Sequence, residues 1–385
     1  MDYQGRLARV RAAMAEQEIA AMFLPRAANL FYLTGVRRQV EHGTDHNAYG
    51  DWLSGGYFGQ DGPVRLVVPR MGGSYFIAEA AGKPWCDEIR LIQEAEAPRE
   101  VLRQTLASFG FGAGRVRVAV DERSWAHLTI ALGELFPQVE VVNASEIIAP
   151  LRMIKDDDEI AVMRRASDVA DAVFRQILPL LKVGATEVDI THEIEHRFAL
   201  LGAESTSFPT AVYISGDSHG AAGRTGAVGS RALASGDSVM FDFGGLVDGY
   251  CSDFGRTAFV GEPSAEYLRA HEAVIAAQAA GMAALVAGQG TTAGANAAAR
   301  RIIAEAGFDA GFTHRLGHGI GVTVHEPPFM DGVDQTVVQE RMLFTVEPSV
   351  IVPGRFGNRI EDVVLVTASG GEPLGNVPRE LFVVE

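Results

Sequence analysis

Acidic residues inside apolar strand segments are the feature that most constrains the fold of this chain. The segment VMFDF is apolar except for Asp242, at a place where a strand buried on both faces makes a charge costly. Past the turn GLVDGY, Asp253 lies on a second strand that continues as FGRTAFVG. Strands joined in this way pair antiparallel, so residues on matching pleats can face the same side. We therefore expect the two Asp side chains to converge.

The C-terminal part repeats this arrangement with glutamates. Glu347 ends an apolar strand in MLFTVEPSVIV, and Glu361 and Asp362 open another in GNRIEDVVLVT. Adjacent strand residues point to opposite faces, so one of Glu361 and Asp362 can enter a shared site. Strand alternation alone does not say which.

Four inward carboxylates would repel one another without compensation. Two divalent cations balance four such charges, as in two-metal hydrolytic sites whose ions lie about 3.5–4 Å apart. An oxygen-rich donor set with one imidazole suits manganese, iron, cobalt or zinc. The same oxygen-rich donor set excludes a structural zinc site of the cysteine type. The two cysteines of the sequence, Cys86 and Cys251, are too few for a disulfide framework.

The segment THRLGHGIGVTVHEPP supplies the imidazoles. It holds His314, His318 and His325 among glycines, which allow the close backbone approach that a crowded metal site requires. His318, flanked by Gly317 and Gly319, is the best single ligand candidate.

Together these motifs resemble those of the pita-bread metallopeptidases, which include methionine aminopeptidases, Xaa-Pro aminopeptidases, prolidases and creatinases. The resemblance runs from YLTG through LRMIKDDDEI to RIEDVVLV and is strongest over residues 238–366. LRMIK, THRLGHGIG and RFGNRIED favour the Xaa-Pro branch. The resemblance implies metal ligands in DFGGLVDGYCSD, GHGIG, FTVEP and RIED, namely Asp242, Asp253, His318, Glu347 and Glu361. The choice of Glu361 over Asp362 rests on it.

The resemblance also implies an activity and further roles. It implies a hydrolase that removes the N-terminal residue of an Xaa-Pro peptide or dipeptide by attack of a metal-bridging hydroxide. Manganese is the expected metal, with cobalt, zinc and iron as alternatives. Glu347 would move the proton and His325 would steady the tetrahedral intermediate. His314 and Arg359 resemble substrate-site residues of the Xaa-Pro enzymes.

One substrate histidine of these enzymes has no direct counterpart. Its expected place after Gly216 holds Gly223 or Arg224, and His219 comes earlier. Either His219 takes this role through a reshaped loop, or the role is absent.

Two other functions stay open. The first is a non-peptidase of the same fold that acts on a small metabolite, such as an ectoine-type amidohydrolase or a related lyase. The second is a non-catalytic binding module, against which the complete ligand set speaks. The set also disfavours a metal-free creatinase.

The segment HEIEH matches a zinc motif formally, with His192 and His196 one helical turn apart. Ile190, Ile194, Phe198 and Leu201 account for the apolar face of that helix, so we expect both histidines on its solvated side.

The 385 residues favour two domains. Residues 1–150 predict a mixed α/β domain, which the resemblance implies is creatinase-like. Residues 151–385 predict an α+β domain with helix pairs over an antiparallel sheet and a pseudo-twofold repeat, which the resemblance implies is a pita-bread domain. Residues 37–62 break the rhythm of the first domain and predict either a binding lid or a surface insertion bearing His42, His46, Tyr49 and Trp52.

The net charge of -16 disfavours nucleic acid and anionic membranes as partners. We expect a peptide or small-molecule substrate, no membrane-spanning helix and a cytoplasmic protein. A homodimer, in which the N-terminal domain borders the active site of its partner, is implied by the resemblance alone.

Overall fold

The computed structural model describes residues 1–38, 50–112, 114–219 and 229–385. These residues form two compact units, Met1–Arg152 and Met153–Glu385. Whether each unit is an independent domain, with a boundary at residue 150, stays a prediction.

The first unit is built around one mixed sheet. Its strands are β1 (Ile19–Pro25), β2 (Gly55–Gly59), β3 (Arg65–Pro69), β4 (Glu88–Ile92), β5 (Val116–Val120) and β6 (Val139–Asn143). They lie in the order β4-β3-β2-β1-β5-β6, with β2 antiparallel to both neighbours and the other pairs parallel. The helices of residues 1–153 are α1 (Tyr3–Glu16), α2 (Ala28–Thr34), α3 (Gly73–Ala80), α4 (Pro98–Ala107), α5 (Ala126–Leu135) and α6 (Ala144–Met153).

The segment 37–62 corrects one expectation. Part of it is not an insertion, because β2 is an inner strand whose residues are all buried. The strand was not predicted because its sequence is GGYFG, and glycine is depleted in strands. Trp52 belongs to the core, 3% exposed and stacked on His127 with ring centroids 4.6 Å apart. His42, His46 and Tyr49 lie outside the described residues, as do Gly223 and Arg224.

The second unit contains two helix pairs and several short sheets. Its helices are α7 (Asp157–Ile177), α8 (Glu187–Leu200), α9 (Ala265–Ala284) and α10 (Thr292–Glu305). Its strands up to residue 260 are β7 (Ser205–Thr206), β8 (Ala211–Ser215), β9 (Ser238–Phe243), β10 (Gly245–Val247), β11 (Tyr250–Cys251) and β12 (Phe254–Val260). The later strands are β13 (Gly317–Gly319), β14 (Glu326–Met330), β15 (Leu343–Val346), β16 (Ser349–Val352), β17 (Phe356–Arg359), β18 (Asp362–Thr367), β19 (Gly370–Pro373) and β20 (Phe382–Val384).

Each helix pair packs on its own sheet. The sheet β20-β12-β9-β8 receives α7 and α8 through a core that includes Phe174, Ile194 and Phe241. The sheet β14-β13-β15-β18-β19 receives the alanine-rich α9 and α10, whose small side chains let the backbones approach closely. The order of helix pair and sheet thus repeats, and the predicted α+β fold class is confirmed.

Local sequence signals account for the start of the second unit. The Asp156 side chain accepts a hydrogen bond from the Glu159 backbone N–H at 2.8 Å, and the Glu159 carboxylate accepts one from the Asp156 N–H at 3.0 Å. This reciprocal cap, followed by acidic residues in the first turn, begins α7.

The HEIEH segment lies on α8 as expected. Ile190, Ile194 and Phe198 are buried, while His192 and His196 are exposed. Leu201, predicted to share the buried face, is 37% exposed because the helix has ended at Leu200.

Cys86 and Cys251 are both buried, and within the described residues neither forms a disulfide. Within the described ranges, no helix is long and apolar enough to cross a membrane.

Candidate metal centre

Strand register aligns two of the predicted carboxylates across a glycine. Gly255 of β12 pairs with Asp242 of β9 on one side and bridges to Glu361 on the other. Side chains of directly paired residues project from the same face, so Asp242 and Glu361 flank the space above Gly255. A Cβ atom at Gly255 would lie 2.8 Å from the Glu361 Cβ and 3.0 Å from the Arg359 Cδ. The missing side chain therefore keeps this space open.

Asp253, His318 and Glu347 complete the group. Asp253 lies two residues before Gly255 and so shares its face. The His318 Nε2 lies 3.6 Å from Asp253 Oδ2 and 3.5 Å from Glu347 Oε1. One donor atom each from Asp253, His318 and Glu361 fall within 4.8 Å of one another. The register of β15 with β18 pairs Val346 with Asp362, which brings Glu347 opposite Glu361.

Backbone contacts hold His318 in the state that a metal ligand requires. Its Nδ1 lies 3.1 Å from the Gly319 carbonyl oxygen, which can only accept a hydrogen bond, so Nδ1 carries the proton. Nε2 is left unprotonated and faces the carboxylates. Gly317 permits this packing, because a Cβ there would lie 2.0 Å from the Thr345 carbonyl oxygen. The side-chain hydroxyl oxygen of Thr345, Oγ1, accepts a hydrogen bond from the His318 backbone N–H at 3.1 Å.

Burial shifts the pKa values of the acids and of the histidine in this cluster toward their neutral forms. It raises the pKa of Asp253 and Glu361 well above their ordinary values, and neighbouring carboxylates raise them further. Burial likewise raises the pKa of Glu347 to about 7, and the charge of Asp242 adds to this. The same burial lowers the pKa of His318 to about 3. Without a cation, the group favours protonated acids and a neutral imidazole.

Arg359 partly compensates these charges. Its guanidinium donates to Asp242 Oδ2 and lies 3.8 Å from Glu347 Oε2 and 3.9 Å from Glu361 Oε2. Burial lowers its pKa, but the surrounding carboxylates outweigh this and raise it above the ordinary value. One guanidinium cannot balance four carboxylates when all of them are ionised.

The donor set fits divalent metal ions. Asp253 Oδ1 and Glu361 Oε2 are buried, and neither has a hydrogen-bond partner among the residues described. Buried carboxylate oxygens are otherwise almost always paired. Carboxylates with one imidazole match the ligand preferences of manganese, iron, cobalt and zinc.

The two other predicted histidines lie beside this group. The rings of His325 and His318 have centroids 4.2 Å apart. His314 places Nδ1 4.0 Å from Glu347 Oε2 and donates from it to the Arg315 carbonyl at 2.7 Å. Burial lowers the pKa of His314 to about 4, so its Nε2, buried and without a described partner, is a free acceptor at neutral pH.

His219 lies elsewhere in the described structure. Its Nε2 lies 2.9 Å from Asp237 Oδ2, one residue before β9 begins. Ser215 of β8 pairs with Ser238, while Ala211 pairs with Asp242, so His219 follows the end of β8 that is farther from Asp242. Its substrate role stays a prediction.

A buried network behind the centre was missed by the sequence analysis. Arg256 donates to the Glu361 carbonyl at 2.7 Å and to Asp362 Oδ1 at 2.7 Å. Asp362 Oδ2 accepts from Gln278 at 2.9 Å and from Arg379 at 2.8 Å. Glu361 thus faces the metal centre, and Asp362 faces this network. An arginine inside the apolar strand FGRTAFV was the available signal.

A buried ion pair next to His325 was also missed. Lys155 Nζ lies 2.7 Å from Glu326 Oε1, and the two side chains are 2% and 4% exposed. Thr323 donates to the second Glu326 oxygen at 3.2 Å. This ion pair holds Glu326 in place, and Glu326 directly follows His325 in the chain.

Comparison with known proteins agrees with this geometry. Residues 161–368 match the description of Metallopeptidase family M24, and residues 6–154 match the Creatinase/Prolidase N-terminal domain. The first match spans more than half of the chain. The chain belongs to metallopeptidase family M24.

Relatives resemble it along their whole length. A putative dipeptidase of Bacillus subtilis is 31% identical over 98% of this chain and 99% of its own. The structure of a prolidase from Thermococcus sibiricus is 29% identical, with a TM-score of 0.88 over 100% of both chains. An Xaa-Pro dipeptidase from Bacillus anthracis is 28% identical, with a TM-score of 0.83 over 99% of this chain and 100% of that one.

The M24 assignment confirms the predicted family, its two-part creatinase-like and pita-bread fold, and a metallopeptidase that depends on divalent ions. The residue assignments within the centre stay predictions.

Proposed function

We propose that this chain is an Xaa-Pro dipeptidase that works with two divalent metal ions. The observation that carries this proposal is the convergence of buried, incompletely paired carboxylates on one neutral imidazole. The names of the relatives support the substrate class, since they include a prolidase and an Xaa-Pro dipeptidase. The amidohydrolase, lyase and binding-module alternatives are not favoured by any relative named above.

The proposed ligands are those that the sequence predicts, Asp242, Asp253, His318, Glu347 and Glu361. The open space above Gly255 and the unpaired oxygens of Asp253 and Glu361 support this set. When bound, the ions would supply Lewis acidity toward the scissile carbonyl and a low pKa for the attacking water.

Residues of the chain would handle the proton and the substrate. We assign to Glu347 the transfer of a proton to the leaving nitrogen, because its raised pKa suits a group that both takes and gives a proton near neutral pH. His325, beside His318, would donate a hydrogen bond to the developing oxyanion. The free Nε2 of His314 would accept from a substrate N–H.

Manganese is the proposed metal, with cobalt, zinc and iron as alternatives. The homodimer and the cytoplasmic location expected from the sequence are part of the same proposal.

The test is to strip the protein with a chelator and reload it separately with Mn, Co, Zn and Fe. Each form is assayed on a panel of Xaa-Pro dipeptides beside small amide metabolites. We expect about two ions per chain and hydrolysis of the dipeptides after reloading. Full dipeptide hydrolysis by the stripped protein would refute the metal requirement, and turnover of the small amides alone would refute the substrate class.

A further inference from the structure

One arginine next to the proposed metal centre has no counter-ion among the described residues. Arg315 lies three residues before His318 and is partly buried. No carboxylate among the described residues forms an ion pair with it. Its neighbours differ: Arg359 is bonded to Asp242, and Arg300 donates to the carbonyls of the 312–314 segment. A partly buried guanidinium without an anion is costly unless something else supplies one.

Strand register places this guanidinium on the metal side of its sheet. It lies over the ring of Phe329, 4.5 Å from the ring centroid. Phe329 of β14 pairs directly with His318 of β13. Side chains of paired residues share a face, so Arg315, Phe329 and His318 lie on one side.

Electrostatics agree with this position. Burial is the first cause of the lowered pKa of His318 and of His325, and the positive charge of Arg315 lowers both further. The charge of Arg315 also lowers the pKa of Glu347, which burial raises. Arg315 therefore lies within electrostatic reach of the residues to which we assign metal binding, proton transfer and oxyanion contact.

The backbone that carries Arg315 is firmly held. Arg300 of α10 donates to the Phe312 carbonyl at 2.9 Å and to the His314 carbonyl. The Leu316 N–H donates to Asn296 of α10 at 3.2 Å. A guanidinium on such a support can recognise an anion at a defined place, because little of the support has to be ordered on binding.

We propose that Arg315 binds the free C-terminal carboxylate of the substrate and so makes the enzyme selective for dipeptides. This inference rests on the proposed function. In a dipeptide, the terminal carboxylate is attached to the Cα next to the scissile nitrogen, so it lies beside the metal centre as an additional anion, and two divalent ions already balance the four enzyme carboxylates there. Arg315 supplies a positive charge for this additional anion, whereas Arg359 is already engaged by Asp242. Longer peptides place a neutral amide at this position.

The experiment compares an Xaa-Pro dipeptide with its C-terminal amide in the metal-loaded enzyme. We expect the wild-type enzyme to prefer the free acid. In Arg315→Met, kcat/KM for the dipeptide should fall roughly 10- to 100-fold, mainly through KM, and kcat/KM for the amide should change little. Arg315→Lys should restore part of the loss on the acid, because it keeps the charge but not the planar fork.

Arg301→Met is the matched control. Arg301 lies on α10, is 62% exposed and pairs with Glu305 at 2.9 Å, so both substrates should be turned over as by the wild type. Metal content and melting temperature are measured for every variant.

Three results would overturn the inference. Equal losses on acid and amide would mean that Arg315 acts through packing on Phe329 or through the histidines. A wild-type enzyme that prefers the amide would remove the need for a carboxylate site. If the metal-loaded wild type hydrolyses neither substrate, this inference and the proposed function fail together.

Discussion

The neighbouring acids Glu361 and Asp362 sit in two opposite environments. Asp362 accepts hydrogen bonds from Arg256, Gln278 and Arg379, and it is 3% exposed. Glu361 is 1% exposed, yet its Oε2 has no hydrogen-bond partner in the described part of the chain. A buried carboxylate that is fully bonded stabilises the fold, whereas one left incomplete is free to receive a cation. This difference distinguishes the scaffold of this enzyme from its proposed metal centre.

The largest expected effect follows from Asp253→Asn, which removes an incompletely bonded acid. Activity should fall by at least about 10³-fold, because a metal ligand is lost, and the metal content should fall with it. The melting temperature of the chelated protein should not fall, because the substitution also removes a buried charge that repels its neighbours. Metal analysis, steady-state kinetics and thermal melts check the three parts.

Asp248→Asn is the control for this variant. Asp248 is 65% exposed and pairs with Arg165, so activity and metal content should match the wild type. A metal-depleted Asp253→Asn variant that kept full activity would contradict the assignment.

Asp362→Asn tests the buried hydrogen-bond network behind the metal centre. It leaves Arg256 buried with its charge uncompensated, so the free energy of unfolding should fall by about 3–5 kcal/mol. The loss should be the same with and without a chelator, as measured by denaturant unfolding. A loss seen only in the metal-loaded protein would mean that Asp362 belongs to the metal centre after all.

Glu326→Gln probes whether the buried pair with Lys155 positions His325. We expect about a tenfold loss of kcat, since the hydrogen bonds of Glu326 to Lys155 and Thr323 weaken. In a His325→Ala background the same change should have little further effect on kcat, which a purely structural role would not produce. Glu340→Gln, at an exposed position, is the control. Additive losses would show that Glu326 acts independently of His325.

The metal-free protein should also respond to pH. A carboxyl whose folded pKa is raised stabilises the fold below its unfolded pKa, and this is lost as the pH rises through the folded value, about 7 for Glu347. The lowered pKa values of His314 and His318 act in the opposite direction, but only up to the ordinary value of 6.5. The melting temperature of the chelated protein should therefore fall above about pH 6.5.

Metal should suppress this fall, because bound carboxylates stay ionised. Thermal melts between pH 6 and 8, with and without metal, measure the gap between the two melting temperatures. A gap that narrows with rising pH would contradict the ionisation of Glu347 as the cause.

The smallest effect is expected from substitutions of the two histidines in the HEIEH segment of α8. His192→Ala with His196→Ala should leave metal content and activity unchanged, because both side chains are exposed on α8. Loss of a metal ion from this double variant would show a second site.

Sequence reasoning predicted the fold class, the strand that carries Asp242 and the group of acids, because each depends on local pattern or on a short turn. The choice of Glu361 over Asp362 came from the resemblance, and its physical reason is the bridge from Gly255 to Glu361, which joins positions 106 apart. A contact between residues so far apart in the sequence cannot be predicted from the alternation of side chains along one strand.

The partners of Asp362 and Glu326 were missed for the same reason. Lys155 and Glu326 are separated by 171 positions, and the sequence around either residue does not indicate that the other is its partner. The strand β2 was missed because its glycines resemble a loop.

The bonds of Arg256 have a consequence for how the protein is made. Besides Asp362 and Glu361, this arginine donates to the Pro378 carbonyl at 3.0 Å and to the Val377 carbonyl at 2.9 Å, and β20 then pairs with β12. During synthesis, Arg256 and Asp362 leave the ribosome before these last partners do. The metal-bearing unit is therefore expected to reach its native form only after residues 377–384 have emerged, so a nascent chain paused before them should bind metal poorly and be open to proteases.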